Sequence, residues 1–423
     1  MTYHNAIKFI KNSQSNTHKE SSDPKRILEL CEALGNPQKK IKYIRLAGSN
    51  GKTVSARMLI SVLNKANIVN GCLSMPIYNE VRENVRINGE PISMEETVTY
   101  VNKICQAIAS INSASAKKDA EFHPTTYEIM LCISLLAFTA HDCAVCIVES
   151  DHNGEDTSRF LSPPFAAIIC GKIPSENDFE ISKIRSYISR GIREIISAPQ
   201  DQAAYKIISD TCFSANCRLT IPARNKFKIK RLSLRGTDFS YKDNDYSLRL
   251  CGKFQTENAL VAIESAEMLT RFGYKISKDN IKDGLAAVIA PCKFEVISIS
   301  PTIIADSTHS NTAIDSICDS LTDFKELTGS KIRLCLPMGE LIPKYIEALQ
   351  ARGYSVLKVT ALASDNTEEQ SSEFSPCVSV QKNVKLVVKD SLSGLATDEL
   401  LFISGYSNFT RKIRYELLST LGF

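Results

Sequence analysis

The chain has 423 residues and a formal net charge of +4, with 43% hydrophobic and 23% charged residues. This length predicts two or three domains, the composition excludes a disordered chain, and the near-balanced charge argues against broad nucleic-acid binding. No apolar run reaches the ~18 residues of a membrane span, and the first residues lack the pattern of a signal peptide, so we expect no membrane partner and a cytoplasmic protein.

Strand and helix patterns alternate along the chain, which predicts an α/β fold with a central, mostly parallel sheet. In chain order, the first predicted elements are helices over residues 24–35, 54–66, 94–111 and 127–140, with strands over 41–47, 144–148 and 165–170. Residues 225–251 alternate around turn residues, which predicts an accessory antiparallel sheet, and a helix over 258–271 follows. Five further strands are predicted over residues 303–305, 332–336, 355–359, 384–388 and 400–403. We therefore predict two domains, residues 1–292 and residues 293–423.

The most informative segment is residues 48–53 (GSNGKT), between a predicted strand and a predicted helix, which we call the phosphate loop. Its glycines let backbone N–H groups close around phosphate oxygens at a helix N-terminus. Lys52 would add a positive charge to the outer phosphates, and the Thr53 hydroxyl would bind Mg²⁺. Gly48 and Gly51 stand closer together than in the usual G-x-x-x-x-G-K-[ST] motif, so an ordinary turn with a solvated lysine is the alternative.

The fourteen cysteines fall mostly in apolar stretches, which predicts buried thiols in a reducing compartment rather than disulfides. Cys143 and Cys146 form a C-x-x-C inside a predicted strand. Alternation in a strand predicts that these two side chains point to opposite faces, which is poor geometry for a zinc site or a redox pair.

Several segments resemble folylpolyglutamate synthase/dihydrofolate synthase, a branch of the Mur-type ATP-dependent amide ligases. They are the phosphate loop and residues 32–38 (EALGNPQ), 80–93 (EVRENVRINGEPIS), 126–128 (TYE), 252–259 (GKFQTENA) and 291–295 (PCKFE). Residues 80–93 are the most specific, because a dozen positions in fixed spacing are hard to match by chance. The resemblance implies a P-loop ATPase domain followed by a Rossmann-like domain, with the active site in the cleft between them.

The activity implied by this resemblance is ATP-dependent formation of an amide bond. ATP would phosphorylate a substrate carboxylate, and an amino group would then attack the acyl phosphate. The expected substrates are L-glutamate and a folate or dihydropteroate, with ATP and Mg²⁺ as cofactors and with a monomeric protein. Such a site positions three substrates and neutralises charge, and it needs little nucleophilic chemistry from the protein.

The resemblance assigns nucleotide binding to five residues of the phosphate loop, Gly48, Asn50, Gly51, Lys52 and Thr53. It assigns the first Mg²⁺ to Thr53, Ser74 and Glu149, and catalytic roles to Lys52, Glu149 and His309. Glu149 ends a predicted strand, where open α/β sheets place functional groups. Ser74 considered alone is an ordinary turn serine.

Further nucleotide contacts are implied for Gln255, Asn258, Lys293 and Asp306, and Lys293 stands where the family has an arginine. Considered alone, Gln255 and Asn258 would merely start a helix. Asp306 follows a predicted strand, as Glu149 does. His309 considered alone is a packed or solvated histidine.

The chain also departs from the family pattern around a second metal. Residues 149–158 (ESDHNGEDTS) keep Glu149 but lose most of the family's glycines, and Phe254 replaces a histidine near the nucleotide. Residues 171–176 (GKIPSE) contain no histidine, and Ser189 stands where the family carries a carbamylated lysine. Two parts of one metal site are therefore missing together, and Lys172 is a candidate substitute positive charge.

These observations favour an ATP-dependent carboxylate–amine ligase of the folate branch. Two alternatives stay open at this point. One is a nucleotide-binding pseudoenzyme or regulatory partner that keeps the fold without turnover, and the other is a divergent ligase that acts on another acid.

Overall fold

The computed structural model of the protein describes residues 1–13, 24–48, 50–75, 80–114, 122–150, 164–173, 185, 188, 191–307, 311–363 and 377–422. The chain folds into two compact units. The first unit contains residues 1–224 and 258–285, and the second contains residues 225–257 and 286–423. The division at residue 292 made from the sequence stays a prediction.

The first unit alternates strands and helices. Its strands are β1 Tyr43–Gly48, β2 Asn70–Leu73, β3 Val85–Ile87, β4 Glu90–Pro91, β5 Val145–Glu149, β6 Ala166–Cys170, β7 Glu194–Ser197 and β8 Arg218–Thr220. Its helices are α1 Tyr3–Asn12, α2 Pro24–Ala33, α3 Lys52–Lys65, α4 Met94–Ala114, α5 Thr126–Ala140 and α6 Gln202–Ala215, and α7 Lys253–Arg271 and α8 Lys278–Ala287 lie mainly in it. Short 3-10 helices cover Pro37–Lys39 and Val81–Asn84.

The strands of the first unit form one sheet in the order β4-β3-β2-β5-β1-β6-β7-β8. The six strands from β2 to β8 in this order are parallel, whereas β3 and β4 pair antiparallel at one edge. Strands β1, β5 and β6 are buried along their whole length, which explains their continuous apolar runs. The carboxyl ends of β5, β1 and β6 therefore lie side by side, at the edge where open α/β sheets bind ligands.

The second unit contains two sheets. Strands β9 Phe227–Ser233, β10 Gly236–Tyr241 and β11 Asn244–Leu248 form an antiparallel sheet. The other sheet has the order β12-β13-β17-β14-β15-β16 and comprises β12 Glu295–Ile299, β13 Thr302–Asp306, β14 Lys331–Pro337, β15 Ser355–Leu362, β16 Val378–Gln381 and β17 Glu399–Ser404. Its strands are parallel except for β12, which pairs antiparallel with β13. Its helices are α9 Asn311–Thr322, α10 Lys325–Thr328, α11 Leu341–Gln350, α12 Val384–Leu392 and α13 Ser407–Leu421, and a 3-10 helix covers Arg224–Lys226 at the start of this unit.

The predicted fold class is confirmed: a large, mostly parallel sheet, a small antiparallel sheet and a second α/β sheet are all present. None of the helices in the described ranges is both long enough and apolar enough to cross a membrane.

The strand predicted over residues 384–388 is wrong, because these residues begin helix α12. The Asn383 side chain caps this helix by accepting a hydrogen bond of 3.0 Å from the backbone N–H of Leu386. Val387, Val388 and Ser391 are buried on one helical face. Valine favours strands, but the packing of one helical face overrides that weak preference here. The edge strands β12 and β16 were not predicted.

The cysteines are confirmed as free thiols, and all fourteen lie in the described part of the chain. The prediction that Cys143 and Cys146 point apart is wrong. Cys143 precedes β5 and follows Asp142, which has a φ of 49°, so strand alternation does not apply to it. A hydrogen bond from the Cys146 thiol lowers the pKa of the Cys143 thiol and outweighs the opposing effect of burial.

Candidate functional site

The phosphate loop follows β1 and leads directly into α3, as predicted. Gly48 and Gly51 have φ angles of +112° and +82°, a region that favours glycine. A Cβ atom at Gly48 would lie 2.0 Å from the carbonyl oxygen of Cys170, and one at Gly51 would lie 2.2 Å from Asn258 Oδ1. The backbone conformation therefore favours glycine at both positions, and at Gly48 the close approach of the Cys170 backbone also leaves no room for a side chain. Asn258, on α7, lies directly against the loop.

Lys52 and Glu149 come together beside this loop. Lys52 Nζ donates a hydrogen bond of 2.9 Å to the carbonyl oxygen of Gly48 and lies 3.9 Å from Glu149 Oε1. The other carboxylate oxygen of Glu149 accepts a hydrogen bond of 3.1 Å from the Met75 amide. The two charged side chains are only 5% and 2% exposed, so water screens their interaction little. Glu149 reaches this position because it ends β5, in register with Leu46 of β1.

Thr53, Ser74 and Glu149 supply oxygen donors at the same edge of the sheet. Ser74 comes directly after β2, which is parallel to β5, and the following residue binds Glu149. Asn84 Nδ2 donates a hydrogen bond of 2.6 Å to the carbonyl oxygen of Ser74 and fixes this turn. Hydroxyl and carboxylate oxygens are the ligands that Mg²⁺ prefers, so this donor set fits the cation.

A complete protein cage for a metal is absent from the described residues, which contain no group of three or more His, Cys, Asp and Glu side chains that could hold an ion. Mg²⁺ is commonly held by one or two protein groups together with water and phosphate oxygens.

On the other side of β1, residues 171–173 leave β6 next to the phosphate loop. A Cβ atom at Gly171, which has a φ of +67°, would lie 2.8 Å from the carbonyl oxygen of Asn50. Gln200 binds both neighbours of Lys172: its Nε2 donates to the Gly171 carbonyl oxygen at 2.8 Å, and its Oε1 accepts from the Ile173 amide at 2.9 Å. The Lys172 side chain is exposed.

In the second unit, Gln255 and Asp306 hold one turn from two sides. Gln255 Nε2 donates a hydrogen bond of 3.0 Å to the carbonyl oxygen of Lys293. Asp306 Oδ2 accepts a hydrogen bond of 2.8 Å from the Phe294 amide. Cys292 and Phe294 have φ angles of 56° and 55°, so the turn that carries the half-buried Lys293 is a strained one. Gln255 and Asp306 are fully or almost fully buried.

The structure therefore groups the predicted residues into two sets. Gly48, Asn50, Gly51, Lys52, Thr53, Ser74, Glu149 and Asn258 meet at the carboxyl edge of the first sheet, and Gln255, Lys293 and Asp306 meet in the second unit. His309 lies outside the described residues, as do Ser189 and residues 151–158.

Gln200 and the Met75 amide are parts of the first site that were not predicted from the sequence. Gln200 follows β7 by three residues, so a search for polar residues after each parallel strand would have found it. The Met75 amide carries no side-chain signal and could be found only from coordinates.

Two open cavities of the described residues lie away from both sets. One of about 410 Å³ in the first unit is lined by Lys40, Lys42, Cys143, Phe272 and Tyr274. One of about 400 Å³ in the second unit is lined by residues that include Arg333, Lys358 and Ser379. Neither cavity contains a residue predicted to bind nucleotide.

Comparisons with known proteins point to one family, although no family model matches the chain. A folylpolyglutamate synthase of Lacticaseibacillus casei is 25% identical over 328 residues, which cover 74% of this chain and 74% of that protein. A dihydrofolate synthase/folylpolyglutamate synthase of Bacillus subtilis is 24% identical over 318 residues, or 70% of this chain and 71% of that protein.

Solved structures show the same similarity at the level of the fold. The apo form of an L. casei folylpolyglutamate synthase superposes with a TM-score of 0.81 at 20% identity and covers 99% of this chain and 100% of that one. A complex of a folylpolyglutamate synthase with AMPPCP and folate has a TM-score of 0.78 at 20% identity, with coverages of 99% and 100%. Over most of its length the chain is therefore similar, at 24–25% identity, to folylpolyglutamate and dihydrofolate synthases, and it shares their fold.

Proposed function

We propose that this protein is an ATP-dependent ligase that joins the carboxylate of a folate or a pteroate to the amino group of L-glutamate. The observation that carries the proposal is the buried pair of Lys52 and Glu149, 3.9 Å apart beside the glycine turns of the phosphate loop. The relatives named above are folylpolyglutamate and dihydrofolate synthases, and one such synthase was solved with AMPPCP and folate.

The reaction needs positioning and charge neutralisation from the protein. The substrate carboxylate attacks the γ-phosphorus of ATP, which forms an acyl phosphate and releases ADP. The amine of glutamate then attacks the acyl phosphate, which forms the amide bond and releases inorganic phosphate. The amides of the phosphate loop would bind phosphate oxygens at the start of α3. Lys52 would exchange its hydrogen bond to the Gly48 carbonyl oxygen for phosphate oxygens, as a buried cation does when a stronger acceptor arrives.

Mg²⁺, when bound, neutralises charge on the phosphate oxygens. Thr53, Ser74 and Glu149 are the residues that would hold it, with Glu149 kept in place by the Met75 amide. We assign nucleotide contacts also to Asn50, Asn258, Gln255, Lys293 and Asp306, and His309 keeps the catalytic role implied by the family. We further propose that the protein works as a cytoplasmic monomer, and the fourteen free thiols support the reducing compartment.

The test is an assay of the purified protein with ATP, Mg²⁺, L-glutamate and either dihydropteroate or a reduced folate. We expect ADP release that depends on both organic substrates, and a product heavier by one glutamyl residue in mass spectrometry. The K52M variant should release no ADP above background. A screen of other carboxylic acids in the same assay detects a ligase that acts on a different acid.

A nucleotide-binding protein without turnover is the second candidate, and one observation favours it. The segment that leaves β6 carries Lys172, and its described residues contain no histidine that could hold a second cation. Binding of AMPPCP without ADP release in the presence of any acid and amine would support this candidate and contradict the ligase.

A further inference from the structure

We infer that Lys172 is a phosphate-binding residue on the β6 side of the phosphate loop and that Gln200 is the residue that positions it. The inference rests on the proposed function in one respect, namely that the loop binds a nucleotide. It assigns the binding of a polyphosphate anion to Lys172 and a positioning role to Gln200, and neither residue belongs to a phosphate-binding motif in the sequence.

The backbone that carries Lys172 lies against the phosphate loop. Strands β1 and β6 are parallel neighbours, and Gly48 is in register with Cys170. The next residue, Gly171, lies so close to the loop that a Cβ atom there would be 2.8 Å from the Asn50 carbonyl oxygen. Lys172 therefore leaves the sheet immediately beside the peptide groups that would surround the phosphates.

Gln200 makes that backbone position rigid. It uses both ends of its amide, with Nε2 on the Gly171 carbonyl oxygen at 2.8 Å and Oε1 on the Ile173 amide at 2.9 Å. The same Nε2 also lies 3.0 Å from the carbonyl oxygen of Ala198, which ties this clamp to the end of β7. The side chain of Ile173 is buried, whereas that of Lys172 is exposed. The clamp thus fixes the backbone on both sides of Lys172 and leaves its side chain at the surface.

Charge differs between the two sides of the loop. On the β5 side lies the buried carboxylate of Glu149, 3.9 Å from Lys52. Its oxygens are ligands for a cation such as Mg²⁺. On the β6 side, the segment that touches the loop carries the ammonium group of Lys172. A lysine binds phosphate as a point charge on a flexible stem, so it needs no bidentate geometry and can follow the anion as it enters. In this proposal Lys172 would add a second cation beside the phosphates, on the side of the loop opposite to Glu149.

The experiment measures binding of MgAMPPCP directly, for example by calorimetry, so that no turnover is required. We expect K172M to weaken binding by about tenfold, equivalent to ~1.4 kcal/mol, and K172R to bind almost as the wild type does. Lys42 is the matched control, because it is also exposed but precedes β1 and so lies at the opposite edge of the same sheet. K42M should leave binding unchanged. Binding to K172M should also depend less steeply on salt concentration, because one phosphate-facing cation is gone.

Gln200 is tested through its coupling to Lys172. We expect Q200L to weaken binding by a smaller factor than K172M, and to have no further effect in the K172M background. A residue that only stabilises the fold would weaken binding equally in both backgrounds and would lower the unfolding temperature in proportion.

Three outcomes overturn the inference. If the wild type binds MgAMPPCP and K172M binds equally well, Lys172 is an ordinary solvated lysine while the proposed function stands. If Q200L and K172M have additive effects, the positioning role of Gln200 is wrong. If the wild type itself does not bind MgAMPPCP, both the inference and the proposed function fail.

Discussion

The two sets of candidate residues, one in each unit, both include left-handed backbone conformations, but different residue types adopt them. Both need left-handed backbone conformations close to a strand end. The first unit places glycines there, Gly48 and Gly51, whereas the second unit places Cys292 and Phe294 there at φ angles of 56° and 55°. A non-glycine residue in this region costs roughly 1–2 kcal/mol, which the surrounding hydrogen bonds must offset.

Besides Gln255, two acidic side chains hold the strained turn of the second unit by accepting hydrogen bonds from its backbone amides. Asp306 accepts from the Phe294 amide at 2.8 Å, and Glu295 accepts from the Cys292 amide at 2.9 Å. Glu149 and Asp306 both end a strand, are both 2% exposed and both accept a hydrogen bond from a backbone amide, but Glu149 also lies 3.9 Å from the ammonium group of Lys52. A carboxylate at a strand end therefore does not reveal its role until its partner is known.

The largest effect is expected from K52M in the first unit. Removing the buried ammonium takes away a phosphate ligand and leaves Glu149 without this cation. Truncating one partner of a buried charge pair costs about 2–5 kcal/mol of binding free energy in comparable cases. We expect MgAMPPCP binding to weaken on the order of a hundredfold in calorimetry. The matched variant in the second unit is K293M, for which we expect a smaller loss because Lys293 is half-buried. An equal loss in both variants would contradict the contrast between the two sets.

The next effect concerns the glycines. G48A would force a Cβ atom to 2.0 Å from the Cys170 carbonyl oxygen, which belongs to a buried strand that cannot give way. Gly35 is the control, because it has a φ of +80° and no atom lies within 4 Å of the position that its Cβ would take. We expect G35A to cost about 1 kcal/mol of unfolding free energy and G48A several times more, as measured by urea denaturation. Equal costs would mean that backbone conformation alone, and not the close approach, requires Gly48.

A smaller effect is expected at Asp306. D306A leaves the buried amide of Phe294 without this acceptor, which should cost about 1–3 kcal/mol of unfolding free energy, as measured by urea denaturation. D306N keeps an oxygen that can accept the same hydrogen bond, so it should cost less. If both variants are equally destabilised, the charge of Asp306 matters more than its hydrogen bond, and its role is closer to that of Glu149.

The smallest effect concerns the opposite edge of the first sheet. The hydrogen bond from Cys146 lowers the pKa of the Cys143 thiol, so Cys143 should react with iodoacetamide at a lower pH than Cys105, whose pKa is raised by burial. C146A removes the donor and should move the labelling profile of Cys143 to higher pH, as followed by peptide mass spectrometry. MgAMPPCP binding should not change, since these thiols lie at the amino end of β5 and Glu149 lies at its carboxyl end. An unchanged labelling profile in C146A would show that the two thiols do not interact.

The amino-acid sequence by itself determined the alternation of strands and helices, the phosphate loop and the resemblance to folylpolyglutamate synthases. These features depend on local patterns: continuous apolar runs mark strands that are buried on both faces, and a glycine turn before a helix marks a phosphate site. Local patterns also misled at residues 384–388, where valines suggested a strand but the Asn383 cap and one buried face produce a helix.

Only the tertiary structure decided which side chains meet. It brought Glu149 next to Lys52, although the two residues are far apart in the chain. It also placed the Gln200 amide against Gly171 and Ile173, the two neighbours of Lys172. It also brought the Cys146 thiol to Cys143, against the expectation from strand alternation. The physical reason is that strand register and the turns after each strand set these distances, and register is fixed by the packing of the whole sheet rather than by neighbouring residues.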